Sequence, residues 1–158
     1  MNEGYWDRIE TALGAVSVAV DDRGRVTSVS FDDEGSPTDR REPQRCRLVC
    51  DQLREYLAGT RTRFDLALAP HGTPFQQLVW RGLTEIPYGT VCGYGDLAKS
   101  IGKPGAARAV GQANGANPIP IIIPCHRVIA ADGSIGGYSS GLPIKRRLLA
   151  LETIELAA

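Results

Sequence analysis

The sequence predicts an α/β chain of the α+β kind: a small sheet-and-helix domain over residues 1–70, then a mainly helical domain over residues 71–158. Three observations predict it. The first sixty-odd residues read as short strands rich in Val, Ser and Thr, separated by polar turns and followed by one helical repeat. From Thr73 onward apolar residues recur at helical spacing. Between these stretches lies Pro70-His71-Gly72-Thr73-Pro74, a connector by composition.

In the first domain, residues 15–20 and 25–31 read as strands, and Asp21-Asp22-Arg23-Gly24 between them is a hairpin signal. Residues 32–43 are polar and loop-like. Over residues 44–58, Leu48, Val49, Leu53, Tyr56 and Leu57 fall at helical spacing, and Gly59 supplies the stop. A further strand is expected over residues 64–68.

In the second domain a helix opens at Thr73 or Pro74, presents Phe75, Leu78, Val79 and Leu83 on one face, and ends at Pro87-Tyr88-Gly89. A second helix over residues 94–101 stops at Gly102, and a third is expected to begin at Pro104, a residue suited to a first helical turn. The result is the outline of a helix-turn-helix, which many proteins that never touch DNA share.

The third helix is unusual in its side chains. Ala106, Ala107, Arg108, Ala109, Val110, Gly111, Gln112 and Ala113 put one long charged group on an otherwise short-chained surface. An ordinary helix is about 10–12 Å across and the minor groove only about 6 Å wide, so small residues allow close approach and one Arg could reach into the duplex. The same residues equally suit packing against a neighbouring helix. Residues 117–129 follow, with three prolines that deny a full strand ladder, and read as a buried, rigid, extended arm delivering Cys125 and His126. A loop over residues 131–141 and a last helix over residues 143–156 complete the chain.

Lys plus Arg equal Asp plus Glu at 18 each, which argues against a protein that coats nucleic acid by bulk charge. The halves differ: 10 basic against 13 acidic residues up to Pro70, then 8 against 5. Between Leu97 and Ala131, Lys99, Lys103, Arg108 and Arg127 stand with no acidic residue, a local cationic stripe that would also fit a solvated helix face. No apolar run approaches the ~18 residues of a membrane span and no leader pattern opens the chain, so a cytoplasmic setting with no membrane partner is expected.

Four cysteines, Cys46, Cys50, Cys92 and Cys125, are too few and too irregular for a disulfide framework. Cys46 and Cys50, one helical turn apart, could share a metal, but with two histidines in the chain and no Cys-x-x-Cys pair, no metal and no cofactor are expected. Cys46, Cys50 and Cys92 read as small buried hydrophobes. Cys125 is different because it abuts His126 and Arg127: a free thiol is mostly protonated at neutral pH, and a nearby base or cation makes it a nucleophile. His126 is expected to act through a water and to be oriented by Glu152. A reachable sulfur is part of this reading. The Cys-His pair suits a hydrolase as well as a transferase.

The run Pro124-Cys125-His126-Arg127-Val128, preceded by Asn117-Pro118 and by Ala107-Arg108-Ala109-Val110-Gly111, closely resembles the signature of the O6-alkylguanine-DNA alkyltransferases, the methylated-DNA–protein-cysteine methyltransferases. Similar spacing extends to Thr73-Pro74-Phe75-Gln76, Ile86-Pro87-Tyr88-Gly89, Tyr94-Gly95, Gly136-Gly137-Tyr138-Ser139 and Lys145, so the match covers roughly residues 73–152.

The resemblance implies DNA repair by direct reversal, with double-stranded DNA containing O6-alkylguanine as partner and a single irreversible turnover. Arg108 would intercalate while Ala107, Ala109 and Gly111 let the helix approach, and the flipped base would enter a pocket formed by Tyr138, Ser139 and Val128. Cys125 would take the alkyl group, with His126, Glu152 and a water relaying the proton and Asn117 bracing the turn. Tyr94 would donate to guanine N3, the Ser139 backbone would stabilise O6, and the carbonyls of Cys125 and Val128 would accept the exocyclic amine. O4-methylthymine is a possible second substrate, and a monomer is expected. Ser140 departs from the family, which more often has glycine there. The alternatives explain less: a damage binder would lack the cysteine, a Cys-His hydrolase would leave the small-residue helix without purpose, and a regulator would carry base-reading side chains instead of alanines.

Overall fold

The computed structural model describes residues 4–31 and 39–154. It divides into two compact units, Met1–His71 and Gly72–Ala158. The first holds strands β1 (Tyr5–Thr11), β2 (Gly14–Val20), β3 (Val26–Phe31) and β4 (Arg40–Arg41) and helix α1 (Arg47–Leu57). The sheet order is β3-β2-β1-β4, antiparallel except for the β1–β4 pair.

β2 is central in the sheet, paired along both edges, and is buried from Ala15 to Val20. β1 was not expected from the sequence. Asp7, Arg8 and Glu10 interrupt its apolar pattern, yet it pairs with β2 in unbroken register from Tyr5↔Val20 to Thr11↔Gly14. The expected hairpin between β2 and β3 forms around Asp21, whose Oδ1 accepts the amides of Arg23 and Arg25, both at 2.9 Å. Of the loop expected over residues 32–43, residues 32–38 lie outside the described residues, and Arg40–Arg41 pairs as β4.

Helix α1 starts three residues later than expected and ends as its sequence suggests. Gly59 takes φ +79°, and the amides of Gly59 and Thr60 bond back to the carbonyls of Tyr56 and Glu55, closing the last turn. Val49, Cys50, Leu53 and Tyr56 form the buried stripe, whereas Leu48 falls off it and is 62% exposed. The strand expected over residues 64–68 shrinks to a single bridge between Leu68 and Val26. The buried Gln52 side chain takes both backbone groups of Asp65, at 2.8 Å and 3.1 Å, so a helix satisfies the segment where a strand would have.

The second unit runs α2 (Pro74–Thr84), β5 (Cys92–Gly93), α3 (Tyr94–Ser100), α4 (Ala107–Gly115), a 3₁₀ turn (Cys125–Arg127), β6 (Val128–Ile129) and α5 (Leu142–Leu151). Thr73 caps α2 through a reciprocal pair with Gln76, 3.1 Å to the Gln76 amide and 2.9 Å back to its own. Val79, Trp80 and Leu83 are the buried face, and the Trp80 indole donates to Ala113 O at 2.8 Å, tying α2 to α4.

Gly102 at φ +76° ends α3, with the Gly102 and Lys103 amides bonded to Lys99 O and Ala98 O. Helix α4 begins at Ala107 and not at Pro104. The Ala106 amide bonds Lys103 O in a turn that holds Pro104 outside the helix.

The arm over residues 117–129 is buried but not extended. Ile121 adopts φ +73°, the Ile123 amide reaches back to Ile119 O at 2.9 Å, and Cys125 N bonds Ile123 O at 2.7 Å. Prolines at 118, 120 and 124 remove ladder donors, and the chain satisfies the remaining groups by coiling locally. β6 then pairs in parallel with β5, bringing Val128 opposite Cys92. The last helix stops at Leu151, where Glu152 is its C-cap; of the turn expected to continue to residue 156, residues 155–156 lie outside the described residues.

Candidate active site

Cys125 opens the 3₁₀ turn and is 3% exposed. The sulfur is therefore enclosed and not at the surface, as a reachable nucleophile would have it. Burial pushes its thiol up, while hydrogen bonds from the Asn117 and Tyr138 side chains, and the Lys145 ammonium, pull it down. Asn117 earns its position by bracing the coiled segment: Nδ2 donates to Ile123 O at 2.8 Å and Oδ1 accepts from Ile119 N at 2.9 Å.

The sequence neighbours of Cys125 turn elsewhere. His126 Nε2 donates to Glu152 Oε2 at 2.7 Å in a fully buried pair. The carboxylate can only accept, so the proton sits on Nε2 and Nδ1 is the basic ring nitrogen. Burial pushes His126 below its ordinary value of 6.5 despite Glu152, so the ring is neutral near pH 7.

Arg127 was expected in the cationic stripe, but it is buried and clamps Glu152 in two places, Nε to Oε1 at 2.8 Å and Nη2 to Oε2 at 3.0 Å. Its Nη1 donates to Ile86 O at 2.7 Å, and Gly89 N completes the carboxylate shell at 3.1 Å. Lys99, Lys103 and Arg108 are the exposed remainder of that stripe.

The cation beside the thiol is Lys145, a residue to which sequence reasoning gave no role. It is fully buried on α5, with Nζ donating to Val128 O at 2.7 Å and to Gly137 O at 2.9 Å. Burial pushes it down to about 8, with Cys125 acting in the other direction.

A cavity of about 220 Å³ is lined by Tyr94, Gly111, Asn114, Gly115, Gly137, Tyr138 and Ser139. That is below the ~300–1,000 Å³ of sites for drug-sized ligands and suits a single heterocycle. Two of its walls are bonded to Cys125: Tyr138 through the thiol, and Asn114, whose Nδ2 donates to Cys125 O at 3.4 Å. Gly111 and Gly136 lie against Tyr94. A β-carbon would stand 3.6 Å from the Tyr94 ring at Gly111 and 3.5 Å from its hydroxyl at Gly136, where φ is also +69°. Val128 does not line this cavity. On α4, Arg108, Ala109, Gln112, Gly115 and Ala116 are exposed, and Arg108 lies one turn before Gly111.

Residues 74–154 match the family described as 6-O-methylguanine DNA methyltransferase, DNA binding domain. A methylated-DNA–protein-cysteine methyltransferase of Methanosarcina barkeri is 48% identical over 157 residues, spanning 96% of this chain and 99% of that one. The chain belongs to the methylated-DNA–protein-cysteine methyltransferase family. A constitutive methylated-DNA–protein-cysteine methyltransferase of Bacillus subtilis is 41% identical, with 96% of each chain covered. Among solved structures, Mycobacterium tuberculosis OGT in complex with DNA superposes with a TM-score of 0.88 at 44% identity, covering 94% of this chain and 92% of that one. Membership in the methyltransferase family agrees with the α+β fold, with DNA repair by alkyl transfer, and with DNA as partner. For a methylated-DNA–protein-cysteine methyltransferase, the parts that no local sequence pattern announced are the contacts of Lys145 and Asn114 and the Arg127 clamp, because long-range packing creates each of them.

Proposed function

We propose that this protein repairs O6-alkylguanine in duplex DNA by moving the alkyl group to Cys125, once per molecule. The observation that carries the reading is a buried thiol beside Lys145, hydrogen-bonded to Asn117 and to Tyr138, the latter a wall of a base-sized cavity one helical turn from the exposed Arg108. Arg108 enters the minor groove on a helix whose exposed face, with Ala109, Gly115 and Ala116, is otherwise short-chained apart from Gln112. Ala107 and Gly111 keep the same helix slim. The extruded base occupies the cavity between Tyr94 and the Tyr138–Ser139 loop.

Sγ then attacks the alkyl carbon. The S–C bond forms as the C–O6 bond breaks, and its electron pair goes to O6. The thiol proton leaves through a bridging water to His126, which the Glu152 carboxylate supports through Nε2. A proton returns to the ring nitrogens, with Tyr94 donating at N3, so a neutral guanine is released. The Ser139 backbone amide meets the charge growing on O6. A thioether lacks a ready leaving group, so the protein is consumed. The reading extends to a monomer acting in the cytoplasm on chromosomal DNA.

Incubation with a duplex holding O6-methylguanine, followed by intact-protein mass spectrometry, tests it. One methyl should appear on Cys125, none on Cys125→Ala, and fresh lesion should add no second. A protein that grips the lesion while its mass stays constant would reduce the reading to recognition. Arg108→Ala should slow duplex repair by at least ~10-fold, because unstacking costs a few kcal/mol, and should leave reaction with free O6-benzylguanine nearly unchanged. Equal losses on both substrates would remove the intercalating role.

A further inference from the structure

Arg127 is a buried charge that the alkyl-transfer steps above leave without a task. Taking a guanidinium out of water is costly unless its charge and its donors are matched. Here they are matched one by one. Nε and Nη2 meet the two oxygens of Glu152 at 2.8 Å and 3.0 Å, Nη1 reaches Ile86 O at 2.7 Å, and the Tyr88 ring centre lies 5.7 Å from the guanidinium carbon. The fork is planar and rigid, so a carboxylate gripped at both oxygens is held in one orientation.

The same carboxylate is the partner of His126. Oε2 accepts from Arg127 Nη2 and from His126 Nε2, the latter at 2.7 Å, while Oε1 accepts from Arg127 Nε and from the Gly89 amide at 3.1 Å. Each oxygen thus takes two donors, the usual capacity of a carboxylate. Arg127 therefore acts on the neighbouring ring in two ways. It fixes the side from which Nε2 is held, which leaves Nδ1 as the nitrogen that accepts. It also offsets the carboxylate, because −1 on Glu152 and +1 on Arg127 cancel, whereas Glu152 alone would draw a second proton onto His126.

That second proton matters, since an imidazolium has two donors and no acceptor and cannot take the thiol proton. The charged and titratable groups around the ring are Glu152 and Lys145 from α5 and its end, and Arg127 and Cys125 from its own turn. The other cations of α5, Arg146 and Arg147, are exposed, as is Arg81, the one charged residue of α2, which also packs on the turn. The connector after α2 adds the Gly89 amide and the Tyr88 ring. Burial lowers the ring first of all, Glu152 raises it, and Arg127 and Lys145 lower it again.

We infer that Arg127 is a positioning residue of the proton relay: its fork sets the Glu152 carboxylate against His126 Nε2 and its charge offsets that carboxylate, so the ring stays neutral and accepts the thiol proton at Nδ1. The inference rests on the alkyl-transfer reading above.

Imidazole nitrogen NMR followed against pH reads the ring directly, with the exposed His71 as the one other histidine in the chain. In wild-type protein, His126 should be neutral at pH 7 with its proton on Nε2. Arg127→Gln removes the charge and should raise the His126 midpoint by about one pH unit or more. Its reaction with free O6-benzylguanine should lag wild type most at pH 6, by about 10-fold, and catch up as pH rises past the new midpoint. Arg127→Lys keeps the charge and should bring the midpoint back toward that of wild type. A purely structural role would slow transfer by the same factor at every pH and leave the midpoint unmoved, which overturns the assignment. A wild-type ring already charged at pH 7 overturns it without any variant, so the test survives a misfolded Arg127→Gln. Wild-type protein that takes no alkyl group at any pH sinks the transfer reading and this inference with it, whereas an unmoved midpoint in protein that does transfer sinks the role of Arg127 alone.

Discussion

The two units bury their cysteines in different company. In the first, Cys46 and Cys50 lie within the α1 packing, where burial, and then each other or Asp7, push their thiols up to about 12 and about 11. In the second, Cys125 is as deeply buried and burial likewise holds its thiol above the ordinary value, but Asn117, Tyr138 and Lys145 all act against that rise. Burial alone makes a thiol inert; what distinguishes the proposed reactive position is donors and a cation placed by elements distant in sequence.

The sharpest way to break the comparison is to dismantle the second unit's ion cluster. Glu152→Ala leaves Arg127 and His126 buried without their carboxylate and should cost about 3–5 kcal/mol. In a Trp6→Phe background, Trp80 fluorescence reports urea unfolding of that unit alone. A loss under 1 kcal/mol would mean that solvent already screens the cluster.

Next in size is Lys145→Gln, which keeps donors toward Val128 O and Gly137 O and removes the charge. Methyl transfer at pH 7 should fall by roughly 10-fold or more. Because Lys145 titrates near 8, its ammonium is present below that pH and fades above it. The wild-type rate should therefore level off above about pH 8, while the variant keeps rising with thiol ionisation. Parallel profiles would show that Lys145 supports the backbone only.

The smallest effect belongs to the first unit. Cys46→Ala with Cys50→Ala should leave methyl uptake unchanged. The folded state holds these thiols protonated beyond their ordinary 9.0, so the unfolded chain loses protons first as pH rises. Stability from this source is whole below pH 9 and declines toward pH 11–12, by about 1.4 kcal/mol per thiol for each pH unit. Urea titrations at pH 8 and pH 10 should show that decline in wild-type protein and a flatter response in the double variant.

What was legible in the sequence was local. Gly59 and Gly102 mark helix ends by their own conformational freedom, and the Thr73–Gln76 cap is a four-residue pattern. Cys125, His126 and Glu152 were legible through the family motif, and the structure brings the last two into contact. The failures are non-local. β1 carries Asp7, Arg8 and Glu10 and is a strand because β2 lies beside it. The coiling occurs at Ile121, a position that no following proline restricts. Arg127 reads as part of a cationic stripe, and Lys145 as a family-matched position without a role, until Glu152, Val128 O and Gly137 O appear around them.

Glu152 caps the end of α5, twenty-six positions after the histidine it supports, and it also receives the amide of Gly89 from the connector after α2. Helix ends open more readily than helix centres. A brief fraying of that single turn would disconnect His126, the proposed proton acceptor, while the sulfur stayed seated, so amide exchange at Glu152 and Thr153 would report the fraction of molecules in which that support is lost.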